Sequence, residues 1–182
     1  SINAEKGNPV YLPGVSLDKG IVATGDISEA IAQSQVVFSV VPSQFFRSVA
    51  EKIALSIDPG TPLVICSKGI EVETGALMTE IADEIIQKNP VLVLSGPSFA
   101  HEAIAGSPTA VALAGTNLKD AEIITKLIGT SRFRPYPMDD PIGAEVGGAA
   151  KNVLAIACGI VVGREMGDNT RAALITRGLF EM

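Results

Sequence analysis

The chain has 182 residues, of which 47% are hydrophobic and 19% charged, and its mean hydropathy is +0.35. This composition excludes an intrinsically disordered chain, which needs low hydrophobicity and high net charge. The formal net charge of −6 argues against an extensive basic face, so we expect no nucleic-acid partner.

Cysteine and histidine are too scarce for a disulfide scaffold or a zinc centre. The chain has two cysteines, Cys66 and Cys158, and one histidine, His101, so we expect a reducing compartment and no metal. The longest strictly apolar run, residues 153–163, is too short for a membrane span, which needs about 20 residues. We expect a buried helix there and, without a visible signal peptide, a cytoplasmic protein.

The first third of the chain begins irregularly. Residues 1–20 are rich in glycine and proline and are predicted to form a loop. Residues 21–24 are predicted to form a short strand. Asp26 is predicted to begin a helix that reaches residue 34, with Glu29 completing a capping box.

From residue 36 onward, strand patterns alternate with helix patterns. Strands are predicted at residues 36–41, 62–66, 91–94, 109–114 and 133–138, and helices at residues 43–57, 74–88 and 118–128. The first two strands are nearly continuous apolar runs, which are typical of strands buried on both faces of a parallel sheet. The alternation predicts an α/β fold with a mainly parallel sheet.

The pattern changes after residue 138. Asp140 and Pro141 are typical of a helix start, and a helix rich in glycine and alanine is predicted to reach about residue 165. A second helix is predicted at residues 169–182. We therefore place a domain boundary near Met138, which divides the chain into an α/β domain, 1–138, and the first part of a helical domain, 139–182.

Three predicted strands end in residues suited to a ligand site. Gln44, Lys68 and Gly96 each follow a strand, and ligands of open α/β sheets bind beyond the carboxyl ends of the strands. Gly96 permits a close approach, and Ser98 is expected to cap the next helix. Each motif alone fits an ordinary turn or a solvated lysine, and His101 fits a structural role better than a catalytic one.

A second kind of signal lies in the first helix of the helical domain. Lys151 is expected to lean over Gly147 and Gly148, which leaves room for a ligand or for another backbone. We expect its amine to be poorly solvated. The alternative is a lysine whose stem covers a tightly packed helix while its amine reaches water. Neither a Gly-x-Gly-x-x-Gly loop nor a phosphate-binding loop of the Gly-x-x-x-x-Gly-Lys type occurs.

Taken together, the motifs resemble those of the bacterial-type NAD(P)-dependent glycerol-3-phosphate dehydrogenases in order and spacing. They are Asn8-Pro9-x-Tyr11-Leu12-Pro13-Gly14, Pro42-Ser43-Gln44, Ser67-Lys68-Gly69-Ile70-Glu71, residues 96–102, residues 143–153 and residues 167–178. The resemblance spans essentially the whole chain. It implies a Rossmann-like dinucleotide-binding domain, incomplete here, followed by the start of an all-helical substrate domain.

The resemblance also implies a reaction and roles for individual residues. The family interconverts sn-glycerol 3-phosphate and dihydroxyacetone phosphate with NAD or NADP, in glycerophospholipid synthesis. Lys151 would be the catalytic lysine and a substrate contact, and Lys68 would contact both substrate and cofactor. Gly96 and Ser98 would be substrate contacts, and Ala100 a cofactor contact. Independently of the resemblance, the alanine- and glycine-rich helices would suit the interface of a homodimer, and we expect no membrane span.

Two alternatives remain open from the sequence. The first is an inactive scaffold or binding module of the same fold, and the second is a related dehydrogenase for another small hydroxylated substrate. The chain starts without methionine and ends within a helix pattern, so we expect it to be a central fragment of the enzyme, inactive alone.

Overall fold

The computed structural model describes residues 2–182, and a five-stranded sheet organises most of them. The strands of this sheet are β3 (Val37–Ser39), β4 (Leu63–Ile65), β5 (Val91–Ser95), β6 (Thr109–Gly115) and β7 (Phe133–Met138). They lie side by side in chain order. Three of the four pairings are parallel, and β5 pairs with β6 antiparallel. The predicted α/β fold with a mainly parallel sheet is confirmed.

The antiparallel pairing follows from the short connection between β5 and β6. Parallel neighbours need a crossover that spans the sheet, usually through a helix. The only helix in this connection has five residues, so the chain turns back at the same edge. Ser95 consequently pairs with Ala112 near the carboxyl end of β5.

Helices cover both faces of the sheet, and further helices precede and follow it along the chain. They are α1 (Ile2–Glu5), α2 (Ile27–Ile31), α3 (Phe46–Ala54), α4 (Met78–Ile85), α5 (Ala100–Ile104), α6 (Leu118–Ile128), α7 (Pro141–Gly163) and α8 (Asp168–Glu181). One cluster packs α3 and α4 against Leu63 and Ile65, and a second packs α6 against Val64. The three residues of β4 are fully buried and alternate between these clusters. The prediction of a strand buried on both faces is therefore confirmed for β4.

The structure corrects the predicted beginning of the chain. Residues 2–20 are not all loop, because they hold α1 and a small antiparallel ribbon of β1 (Gly7–Asn8) and β2 (Leu12–Ser16). The strand predicted at residues 21–24 is absent. Side-chain bonds hold that segment instead, since Asn3 exchanges two hydrogen bonds of 2.7 Å with the backbone of Ala23.

Two helices, α2 and α4, are shorter than predicted. Asp26 caps α2 as predicted, but the helix ends at Ile31, and Glu29 accepts a hydrogen bond from Thr24 instead of closing a capping box. The helix predicted at residues 74–88 begins only at Met78. Thr74 bonds to Glu71 and Gly75 takes a φ of 75°, so these residues form a turn before the helix.

The last two helices follow the sheet as predicted, but the expected burial of residues 153–163 is wrong. Val153 is 70% exposed and Ile156 66% exposed. Helix α7 packs against β5, β6 and α8, but these contacts leave both residues uncovered. Among the described residues, α7 alone has the length and apolar composition of a membrane span, a test that core helices of soluble proteins also pass. The division into domains 1–138 and 139–182 stays a prediction.

Candidate functional site at the carboxyl edge of the sheet

Lys68 and Gly96 connect two neighbouring strand ends. Lys68 lies in the loop after β4, and its Nζ donates a hydrogen bond of 2.8 Å to the carbonyl oxygen of Gly96, just after β5. Because β4 and β5 are parallel, both loops leave the sheet at the same edge. The two predicted site residues are thus in direct contact.

Gly96 is required by packing within the sheet. Its φ is 153°, and a Cβ placed there would lie 3.0 Å from the Cα of Val111 in β6. The close approach that this glycine permits is therefore made by a neighbouring strand. Its carbonyl oxygen remains available to hold Lys68.

The start of α7 completes a cleft above this edge. Asp140 caps the helix by accepting a hydrogen bond of 2.8 Å from the backbone N–H of Gly143. Further along, a Cβ on Gly148 would lie 2.8 Å from Ser95 Oγ, so this glycine lets α7 pack against the end of β5. A Cβ on Gly147 would meet nothing within 4 Å. One glycine of the pair serves packing and the other borders open space.

Lys151 lines the resulting cleft, which has a volume of about 480 Å³. The lining residues are Ser95, Gly96, Pro97, Ala112, Met138, Gly143, Ala144, Gly147, Gly148 and Lys151. The residue is exposed, so the expectation of a poorly solvated amine is wrong. Gly147 leaves its flank open to water, although the same opening gives a ligand access.

The amines of Lys68 and Lys151 lie close together and concentrate positive charge beside the cleft. Partial burial lowers the pKa of Lys68 below its ordinary value, and the neighbouring Lys151 amine lowers this pKa further. Burial and like charge both disfavour the protonated form of a lysine. An anion bound between the amines would offset that repulsion, so the site suits a phosphate or carboxylate group.

Ser98 and Ala100 lie beside this cleft without lining it. Ser98 does not cap α5 as predicted, because Phe99 occupies the N-cap position without a side-chain bond. The hydroxyl of Ser98 instead makes a long hydrogen bond of 3.4 Å to Gly96 O. Ala100 begins α5 and is exposed. His101 is 75% exposed at its side chain, and its Nε2 lies 3.7 Å from the carboxylate of Glu102.

Glu145 is a residue of this region that the sequence reasoning left without a role. It is buried in α7, and its carboxylate accepts hydrogen bonds from the backbone N–H and from the hydroxyl of Thr79, in the first turn of α4. Burial raises its pKa above the ordinary value, and the bonds from Thr79 oppose this rise. The available signal was that Glu145 is the one acidic residue of α7.

No group of three or more histidine, cysteine, aspartate or glutamate side chains within residues 2–182 could hold a metal ion. The cysteines of the described chain, Cys66 and Cys158, are free thiols.

Comparisons with known proteins agree with this architecture. Residues 1–121 match the family model of the NAD-dependent glycerol-3-phosphate dehydrogenase N-terminus, and residues 140–182 match that of its C-terminus. Among curated relatives, the glycerol-3-phosphate dehydrogenase [NAD(P)+] of Rhodospirillum rubrum is 51% identical over 100% of this chain. That of Parvibaculum lavamentivorans is 50% identical over the same share. The chain spans 52% and 54% of these two proteins, about half of their length.

Solved structures show the same fold. A glycerol-3-phosphate dehydrogenase from Coxiella burnetii matches 99% of this chain with a TM-score of 0.90 and 38% identity, and 55% of that protein is covered. The Plasmodium falciparum glycerol-3-phosphate dehydrogenase matches 99% of this chain with a TM-score of 0.92 and 26% identity, and 51% of it is covered. Both family models and these likenesses lead to one conclusion: the chain belongs to the NAD-dependent glycerol-3-phosphate dehydrogenase family.

Proposed function

We propose that this chain provides the central part of an enzyme that interconverts sn-glycerol 3-phosphate and dihydroxyacetone phosphate with NAD or NADP. The observation that carries the proposal is the contact of Lys68 with Gly96, which lines the same cleft as Lys151, in a chain of this family. A small phosphate ester suits this cleft because it brings negative charge to two lysines.

The residues present fit the nicotinamide end of a dinucleotide. The cleft lies at the carboxyl end of the parallel strands, where dinucleotides bind in such sheets, and the Gly147 flank is open. Lys68 and Ala100 are the proposed cofactor contacts. The nicotinamide, held by these residues, would supply hydride chemistry at C2 of the substrate, for which the protein would supply position and charge.

We assign the proton transfer to Lys151. In the oxidation of glycerol 3-phosphate its amine accepts the proton of the C2 hydroxyl, and in the reverse direction it returns a proton to the C2 oxygen. Lys68 and Gly96, joined by their hydrogen bond, and the neighbouring Ser98 are the proposed substrate contacts. Their task is to orient the three-carbon substrate so that C2 faces the hydride.

The cellular setting forms part of the same proposal. A cytoplasmic enzyme that produces glycerol 3-phosphate would supply the backbone of glycerophospholipids. We also propose a homodimer, since the apolar side of α7, which includes Val153 and Ile156, is exposed in this chain.

The test is an assay on the product of the complete reading frame that encodes this chain. Oxidation of NADH and of NADPH is followed with dihydroxyacetone phosphate as the substrate and with a small 2-keto acid as the comparison. We expect turnover with dihydroxyacetone phosphate and none with the keto acid. Turnover only with the keto acid would reassign the substrate, and cofactor binding without any turnover would make the protein a binding module.

A further inference from the structure

The Pro42-Ser43-Gln44 motif contacts the loop that carries Lys68. Gln44 lies in a short 3-10 turn, Ser43–Phe45, between β3 and α3. Its Nε2 donates a hydrogen bond of 2.8 Å to the carbonyl oxygen of Ile70, and its Oε1 accepts one of 3.0 Å from the backbone N–H of Val72. One side chain therefore spans residues 70–72 as both donor and acceptor.

Contacts from the same part of the chain hold the rest of loop 67–72. Ser67 Oγ donates a hydrogen bond of 2.6 Å to the carbonyl oxygen of Val41, two residues after the end of β3. Gly69 has a φ of 140°, and a Cβ placed there would lie 2.6 Å from Ser43 Oγ. The turn after β3 thus holds the loop from both sides of Lys68.

A salt bridge secures the far end of this loop. Arg47 in α3 contacts both carboxylate oxygens of Glu71 at 2.9 Å, and Glu71 is buried. Lys68 is the member of the loop whose side chain points away from these contacts, since its Nζ reaches Gly96 O. Its long stem is flexible, so the position of the amine depends on how firmly the backbone on either side is held.

We propose that Gln44 is a positioning residue, which fixes loop 67–72 so that Lys68 reaches Gly96 and the cleft of Lys151. Gln44 carries this role because its side chain bonds to two backbone groups of the loop and otherwise only to Ser43. Glutamine supplies both a donor and an acceptor, which the paired carbonyl and N–H of the loop require.

The test compares Gln44→Leu with the matched variant Gln87→Leu, in the product of the complete reading frame. Leucine removes the donor and the acceptor and keeps a similar volume. Gln87 is also an exposed glutamine, just after α4, and its side chain donates a hydrogen bond of 3.5 Å to the carbonyl oxygen of Glu84 in that helix. Amide hydrogen exchange of Val72 should become faster on the order of tenfold in Gln44→Leu and stay unchanged in Gln87→Leu.

A kinetic measurement links the loop to Lys68 and rests on the proposed function. In Gln44→Leu, KM for dihydroxyacetone phosphate should rise about tenfold while kcat changes less than about threefold, because Lys151 and its proton transfer are untouched. A purely structural role would lower the melting temperature and the active fraction without moving KM. Gln44→Glu keeps the acceptor for Val72 but places an oxygen against Ile70 O, and it replaces the leucine variant should that fail to fold.

The outcomes separate this inference from the proposed function. Unchanged exchange at Val72 in Gln44→Leu, or faster exchange with an unchanged KM, overturns the positioning role. If the unaltered protein does not reduce dihydroxyacetone phosphate, the proposed function fails. The exchange measurement then decides alone whether Gln44 fixes the loop.

Discussion

Lys68 and Lys151 lie close together, but their surroundings differ. Lys68 bonds to Gly96 O, and partial burial and the neighbouring amine lower its pKa, whereas Lys151 lies in the helix turn that contains Gly147, whose flank is open. These differences support separate tasks for the two residues. Lys68, held by the protein, suits binding, and Lys151, with open space beside it, suits exchange of a proton with a substrate in the cleft.

Lys151→Met tests this division at the residue scale. Methionine keeps an unbranched apolar stem but cannot carry the proton, so turnover should fall on the order of 10²–10⁴-fold, the usual contribution of general acid–base catalysis. Steady-state assays of the product of the complete reading frame give the value. Cofactor affinity should hardly change, because the proposed cofactor contacts lie elsewhere.

Lys68→Met is the matched comparison for that variant. It should raise KM for the phosphate ester or weaken cofactor binding along with the rate, since Lys68 is the proposed contact of both. If Lys151→Met kept turnover within about threefold, the change would be under 1 kcal/mol. The assignment of proton transfer to Lys151 would then be wrong.

At the scale of elements, Glu145 joins the helix that carries Lys151 to the α/β layer. It lies in α7, and its carboxylate accepts hydrogen bonds from Thr79 at the start of α4. The first N–H groups of a helix lack partners within the helix, and the helix dipole favours an acceptor with negative charge there. The contact therefore caps α4 and fixes where α7 crosses it.

Glu145→Ala should destabilise the protein by about 1–3 kcal/mol, because it leaves buried donors of α4 without an acceptor. Urea unfolding followed by circular dichroism measures this, since the chain has no tryptophan for fluorescence. Glu122→Ala, at an exposed position of α6, is the control and should stay within about 0.5 kcal/mol. Equal stabilities of the two variants would contradict the capping role.

The pKa of Glu145 gives the same contact a pH dependence. Burial raises this pKa in the folded protein, so as the pH falls the folded protein binds the proton before the unfolded chain does. This contribution to stability is complete below the pKa of the glutamate in the unfolded chain, about 4.3. It is lost as the pH rises through the pKa of Glu145 in the folded protein. Relative to Glu145→Gln, the unaltered protein should gain stability as the pH falls from neutral. A difference that is constant with pH would argue against a raised pKa.

At the scale of the whole molecule, the chain contains one part of the proposed dinucleotide site. It has the sheet edge and cleft, but no Gly-x-Gly-x-x-Gly loop of the kind that holds a pyrophosphate at a helix N-terminus. The 182-residue chain by itself should therefore show negligible turnover of dihydroxyacetone phosphate with reduced cofactor. Turnover equal to that of the complete reading frame would refute this view of where the cofactor binds.

Much of the α/β layer could be predicted from local patterns. The helix Leu118–Ile128 and the strand Phe133–Met138 have the predicted bounds, because their periodicity and caps lie within each segment. The β1–β2 ribbon was missed, since glycine and proline interrupt its strands and two-residue pairing leaves no period to detect. The burial of α7 was overestimated, because an apolar pattern shows what a helix can bury and not what covers it.

From residue 36 onward, the sequence by itself determined the alternation of strands and helices; it also determined the α/β class and the family, and it placed Lys68, Gly96 and Lys151 in suitable motifs. The tertiary structure decided the antiparallel return of β6 and the contact between Lys68 and Gly96. It also decided the pairing of Glu145 with Thr79, 66 residues away. Periodicity and capping act within a few residues and can be seen in the sequence, whereas contacts between distant segments depend on how the layers pack.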